Sequence, residues 1–415
     1  MKLLLLTFYY PPDLSAGSFR AAALVEALQQ RAGPGLEIDV LTTLPNRYQS
    51  HAQAAEAHEQ IGPVSITRIA LPRHSSGLAD QAAAFLQFAR RVLMRRGPRY
   101  DVVVATSSRL MTAALGAVMA RRSRAPLYLD IRDLFTDTMA DVFSGSALAA
   151  ALPVLERVER WTFRSAAHIN MVSPGFREHL EKVVPGGSFS YFTNGIDTDF
   201  LDADFTRPEP AEARPLQILY AGNIGEGQGL HRILPEAARR LGDAVQFVVV
   251  GDGGRRKALE AEIADLPSGR VVLRDPVPRA QLHALYRDAD MLLVHLNDYR
   301  AFKKVLPSKL FEYAATGKRI LAGVSGYAEQ FVRDEIPGAE VFFPCDVDGL
   351  AASIERLSGL PATIDRSAFV ATHARTRIMD RMAADVLSRV PGGDGDARHA
   401  STGAGPGAVP GRAEH

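Results

Sequence analysis

Short, nearly continuous apolar runs recur along the chain, separated in most cases by stretches with helical spacing. In the first half the runs are "KLLLLTFY" (2–9), "EIDVLTT" (37–43), "VSITRIAL" (64–71), "DVVVATS" (101–107), "LYLDIRD" (127–133), "HINMVS" (168–173) and "FSYFTNG" (189–195). The rhythm breaks at "DADFTRPEPAEARP" (202–215), where proline and charge mark a linker. It resumes with "LQILYAGN" (216–223), "VQFVVVGDG" (245–253), "RVVLRDPV" (270–277), "MLLVHLN" (291–297), "RILAGV" (319–324) and "AEVFFP" (339–344). Apolar runs without alternation are strands buried on both faces, and helices between them give parallel, doubly wound sheets. Two such blocks predict an N-terminal domain over 1–200 and a C-terminal domain over 201–362, with a cleft between them. A helical stretch at 363–390 has no strand after it. Residues 391–415, rich in Gly, Pro and Ala without periodicity, are expected to be disordered.

Composition narrows the function. The 415 residues exceed one typical core and suit two domains. A formal net charge of +1 supplies no dominant basic surface for nucleic acid. The single cysteine, Cys345, excludes an internal disulfide framework and a cysteine-based zinc site. "MKLLLLTFYYPPD" is short in its apolar part, lacks a small-residue cleavage site and is expected to be a buried first strand rather than a signal peptide. No uninterrupted apolar stretch reaches the roughly 18 residues of a transmembrane helix.

In open α/β sheets ligands gather beyond the C-terminal ends of the strands, so the residues closing each strand carry the chemistry. Gly17 precedes the first helix and lets backbone approach a ligand; the plain alternative is an ordinary turn. "VVVGDGG" offers Gly251 and Gly253, but Arg256 stands where a dinucleotide fingerprint needs its third glycine, which rejects a nicotinamide or flavin site. Close approach by another nucleotide at Gly251 stays open. Asp133 closes "YLDIRD" and can act on or hold a hydroxyl, or simply cap a helix or pair with Arg132. "LYAGNIGEGQGL" ends a strand in Gly222, Asn223 and three further glycines, a density suited to backbone amides around a diphosphate.

Four of the chain's seven lysines, Lys303, Lys304, Lys309 and Lys318, fall within residues 303–318. Lys309 starts a helix after Pro307 and Ser308, where a cation opposes the helix dipole. Glu312, three residues on, shares its face. A cation for phosphate beside a carboxylate for ribose hydroxyls describes a nucleotide-diphosphate clamp; the alternative is a surface ion pair.

Together, "YYPP...G", "DIRDLF", "VSPGF", "TNGIDTDFL", "YAGNIGEGQGL" and "LPSKLFEYAATGKRILAGVSGYAEQF" resemble the family 4 GT-B glycosyltransferases over about residues 1–390. The nearest likeness is to the branch that transfers N-acetylated amino sugars, including N-acetyl-L-fucosamine, in bacterial O-antigen or capsule assembly. The resemblance implies two facing Rossmann-like domains, a crossover helix at 363–390, a UDP-sugar donor and retention of anomeric configuration without a metal or other cofactor. It also implies a polyprenyl-diphosphate-linked acceptor and a cytoplasmic site on the inner face of the membrane. By position, it makes Gly17 and Gly222 phosphate-loop residues, Glu312 the ribose acid, and Asp133 a contact to donor sugar or acceptor. Asn223 and Gln228 stand where many relatives carry Arg and Lys, and Lys304 replaces the first acid of the family's glutamate pair. The expectation is therefore that Lys309, aided by Lys304, neutralises the diphosphate, with Lys309 and Asp133 as catalytic residues.

"FLQFARRVLMRRGPRYD" (85–101) carries Arg90, Arg91, Arg95, Arg96 and Arg99 beside Phe85, Phe88, Val92 and Leu93. This predicts a basic amphipathic helix that contacts an anionic membrane through Arg91, Arg95 and Arg96, or else a core-packed helix with a solvated basic side. Two other functions share the architecture: a nucleotide-sugar 2-epimerase and a non-catalytic nucleotide-sugar-binding regulator.

Overall fold

The computed structural model describes residues 1–13, 15–45, 55–71, 78–95, 97–107, 109–142, 147–207 and 214–390. Arg96, residues 208–213 of the linker and the 391–415 segment lie outside the described residues.

The N-terminal sheet has eight strands: β1 (Lys2–Leu6), β2 (Glu37–Thr43), β3 (His58–Ile61), β4 (Val64–Ile69), β5 (Val102–Thr106), β6 (Leu127–Ile131), β7 (His168–Met171) and β8 (Phe189–Tyr191). Their order is β3-β4-β2-β1-β5-β6-β7-β8, parallel throughout except for β3 against β4. The sequence pattern contains every strand but β3. That strand is the polar edge segment "HEQI", returned into β4 by a turn in which Gly62 takes φ +55°.

The second sheet contains β9 (Leu216–Ala221), β10 (Val245–Val250), β11 (Val271–Arg274), β12 (Met291–His295), β13 (Arg319–Gly323) and β14 (Ala339–Phe342). It is wholly parallel, in the order β11-β10-β9-β12-β13-β14. Each sheet reverses its winding once, between β1 and β5 and between β9 and β12. Those are the switch points where a doubly wound sheet opens a crevice.

The helical stretch after β14 and its following helix forms two helices, Ser367–His373 and Arg375–Leu387. The second returns to the N-terminal domain. Its Ile378, Met379, Met382, Ala383 and Val386 are buried with Leu3, Leu5, Ile38 and Val104 in one core, each large apolar side chain worth roughly 1.5–3 kcal/mol when fully buried. Tyr128 Oη donates to Asp385 at 2.8 Å and Arg31 pairs with Asp380 at 2.8 Å. The crossover helix is thus part of the N-terminal core.

In the helix Leu78–Met94 the apolar side follows the core-packed alternative. Phe85, Phe88 and Val92 do not face outward; they are buried in the N-terminal core, with Leu93 packed against it. Arg91 is exposed, while Arg95 donates to Thr67 Oγ1 at 2.7 Å. Among the helix's described side chains, Leu86 and Met94 leave apolar surface outside, 67% and 66% exposed. Arg95 and Arg99 precede β5, so they lie at the edge of the sheet opposite the cleft, roughly 17 Å away across a five-residue strand.

Candidate active site

The C-terminal wall of the cleft is built on the ends of β9, β10 and β12. Gly222 follows β9 and Gly251 follows β10, and the two backbones touch. A Cβ on Gly251, whose φ is +152°, would fall on the carbonyl oxygen of Gly222. Only glycine permits that approach.

The loop from Gly222 to Gly229 is held from several sides. Asn223 Nδ2 donates to Gln228 Oε1 at 2.8 Å. Glu226 accepts from Tyr299 Oη at 2.7 Å and Arg232 at 3.1 Å, and pairs with Arg255. Asn297 N donates to Gly227 O at 2.8 Å.

Beneath the loop, His295 Nε2 accepts from Cys345 N at 2.9 Å, which places the ring proton on Nδ1, donating to Gln228 O at 2.6 Å. Burial lowers this histidine to about 4, so it is neutral and fixed in one tautomer.

Lys309 and Glu312 lie on the first turn of the helix Lys309–Ala315. Their charged ends are 3.7 Å apart. Lys309 leans over the glycine loop: a Cβ on Gly222 would sit 2.6 Å from Lys309 Cε. Glu312 is the more buried partner, its side chain 13% exposed against 26%.

A cavity of about 390 Å³ brings together Gly222, Asn223, Gly251, Ser308, Lys309 and Glu312. The N-terminal domain closes it with Ser15, Ala16 and Phe19 from the start of the helix Ala16–Ala32. This cavity unites six of the residues singled out in the sequence.

Three others are placed differently. Gly17 is next to the cavity, yet its missing Cβ makes room for a side chain: a Cβ there would be 2.5 Å from Arg132 Nη1. Lys304 is not among the residues lining the cavity. Its amine pairs with Asp137 of the N-terminal domain, and its carbonyl accepts from Ser173 Oγ at 2.5 Å. Gly175 of "VSPGF" completes this contact, since a Cβ would meet the Lys304 carbonyl oxygen at 2.5 Å. Asp133 also stands outside the lining, at the C-terminal edge of the N-terminal sheet, with Thr138 Oγ1 3.4 Å from its carboxylate. Desolvation pushes its carboxyl up to about 6.

Sequence reasoning missed Arg279, which lines the same cavity, and the buried His295. Arg279 follows Pro276 and Val277 after β11, so the position beyond a strand end was its available signal.

Comparison with known proteins decides the class. Residues 17–195 match the model of the glycosyl transferase 4-like domain, and residues 202–370 match glycosyl transferases group 1. A putative colanic acid biosynthesis glycosyl transferase, WcaI of Escherichia coli, is 26% identical over 390 residues, 87% of this chain and 93% of that protein. The fold matches Anabaena HepE, solved in complex with UDP and glucose, at TM-score 0.63 and 16% identity, covering 94% of this chain and 99% of that one. It matches WaaG, a glycosyltransferase involved in lipopolysaccharide biosynthesis, at TM-score 0.60 and 14% identity over 93% and 99% of the two chains.

The chain is a GT-B glycosyltransferase. In this glycosyltransferase the first matched segment holds every strand of the N-terminal sheet except β1, the second holds the whole C-terminal sheet, and the cavity lies between the two domains. Among the described residues no helix is long and apolar enough to cross a membrane.

Proposed function

We propose that this enzyme is a retaining, family 4 glycosyltransferase that moves an N-acetylated amino sugar, such as N-acetyl-L-fucosamine, from a UDP-sugar to a polyprenyl-diphosphate-linked sugar. The setting is assembly of a cell-surface polysaccharide on the inner face of the cytoplasmic membrane. One observation carries the donor reading: Lys309 leans over Gly222 while Glu312, on the same helical turn, faces the same cavity. The UDP bound by HepE and the roles in the names of WcaI and WaaG support the donor class and the setting.

In the reaction the bond from the anomeric carbon to the β-phosphate oxygen breaks. The acceptor hydroxyl oxygen bonds to that carbon on the same face, and its proton passes to the departing diphosphate. Negative charge grows on the leaving oxygen, so a fixed cation there stabilises the transition state more than the bound donor. Lys309 is that cation, standing in for the basic residues replaced by Asn223 and Gln228, and the step is proposed to need no metal. Glu312 accepts hydrogen bonds from the ribose hydroxyls. Asp133, at the edge of the acceptor-side sheet, holds an acceptor hydroxyl. Arg91, with exposed Leu86 and Met94, supplies a weak membrane contact.

The test is Glu312→Gln, followed by calorimetric titration of UDP. Affinity should fall by roughly 1–3 kcal/mol, the scale of a lost charged acceptor. Equal affinities in two folded proteins would remove Glu312 from the site.

A further inference from the structure

Arg279, the first residue of the helix Arg279–Asp288, joins the cavity to the place where the two domains are linked. Its guanidinium lies 4.7 Å from the ring centroid of Phe19 in the N-terminal domain and 5.1 Å from that of Phe200. Its Nε donates to Asp199, and one Nη donates to Asp197 at 2.6 Å and to Asp199 at 2.9 Å. Asp197 also accepts from Arg375, the first residue of the crossover helix.

The two chain crossings between the domains are bonded to each other at this point. Ile196 N donates to His373 O at 2.8 Å, and Arg375 N donates to Ile196 O at 2.8 Å. Gly195 allows the contact, because a Cβ would sit 2.5 Å from the Arg375 Cα. Both crossings meet here, so any rotation of one domain against the other would have to turn on these linking residues, here called the hinge.

We propose that Arg279 is a positioning residue that couples a nucleoside diphosphate in the cleft to this hinge. The inference rests on the donor reading above and extends it. Neither Asp197 nor Asp199 lines the cavity. Both nevertheless fix the guanidinium fork that a ligand between Phe19 and the Lys309–Glu312 wall packs against. Releasing the fork lets a long side chain sample other rotamers, and ordering it again opposes binding. Coupling of this kind is reciprocal: hinge carboxylates that strengthen nucleotide binding are themselves held more firmly when the nucleotide is bound.

UDP is titrated into the unmodified protein, Asp199→Asn, Arg279→Met and the double variant. Asp199→Asn, a change outside the cavity, should weaken UDP about fivefold, and the same change made in Arg279→Met should have no further effect. Unaltered affinity in Asp199→Asn, or losses that add in the double variant, overturns the proposal.

Amide exchange in the unmodified protein gives a second reading that depends on no variant. UDP should slow exchange at Ile196 and Arg375 about fivefold. Bound UDP with unchanged exchange at both amides contradicts the coupling. If UDP does not bind the unmodified protein, the donor reading itself fails and the coupling falls with it.

Discussion

Lys309 Cε occupies the space that a side chain on Gly222 would need, 2.6 Å from the position of its Cβ. The glycine at the end of β9 and the lysine of a helix more than eighty residues later are therefore one feature. Gly222→Ala should displace the lysine and mimic its loss. Lys309→Met keeps most of the side-chain length and should slow transfer about 10²–10³-fold, as when one preorganised transition-state donor is removed. Donor affinity should fall less, because charge on the leaving phosphate grows as the bond breaks. Single-turnover rates beside UDP-sugar affinities check this; near-normal turnover in Lys309→Met rules the role out.

Lys304→Met is the contrasting substitution. Its amine pairs with Asp137 across the domains and is partly exposed, so the pair is worth about 0–1 kcal/mol. UDP affinity in this variant should stay within about 0.5 kcal/mol of the unmodified value. A calorimetric loss on the scale of Glu312→Gln would return Lys304 to the donor site.

Asp133 and pH supply a third test. Its carboxyl is raised from the ordinary 3.8 to about 6 in the folded protein. Folding therefore takes up a proton between those values: the group's favourable contribution is complete below about 3.8 and is lost as pH rises through 6. Asp133→Asn should raise the urea midpoint at pH 8, by up to about 2 kcal/mol of stability given the partial exposure, with no gain near pH 4. If it binds an acceptor hydroxyl, the same variant should lose transfer activity while gaining stability at pH 8. A variant less stable at pH 8 than at pH 4, relative to the unmodified protein, contradicts this.

His295 has the opposite sign. Its value is lowered from 6.5 to about 4, so its contribution is full above 6.5 and is lost as pH falls toward 4. The unmodified protein should lose up to about 3 kcal/mol over that window from this residue. His295→Gln should flatten that part of the urea-midpoint profile while lowering stability at pH 7.5; parallel profiles would show that the ring is not held neutral by burial.

The architecture was legible in the sequence because strands buried on both faces carry apolar runs without alternation, as β1, β5 and β12 do, and the runs contain thirteen of the fourteen strands among the described residues. β3 escaped because an exposed polar edge strand has no apolar pattern to show. Glu312, Lys309 and Gly222 were readable as strand-end and helix-start residues. Lys304 was not separable from Lys309 by type or spacing, since the short turn Arg300–Lys304 aims it at the N-terminal domain and the next helix aims Lys309 at the glycine loop. Gly17 was read as space for a phosphate, whereas Arg132, brought by a different strand end, fills the space beside it. The apolar residues of Leu78–Met94 fit a membrane or a core equally in sequence, and only the packing of β5 and its neighbours against them chose the core. Arg279 meets Asp197 and Asp199 about eighty positions away, a relationship that no local pattern encodes.

The central claim is sugar transfer from a UDP-sugar to a lipid-linked acceptor. It is tested most directly by incubating the unmodified protein with a panel of UDP-sugars and polyprenyl-diphosphate-linked sugars and following lipid masses by mass spectrometry. The account predicts that one donor adds a single N-acetylated amino sugar to the lipid with equimolar release of UDP, and that Lys309→Met nearly abolishes the addition. Inversion of a UDP-sugar at carbon 2 with no lipid present, or tight UDP binding without mass gain on any lipid in the panel, would contradict it.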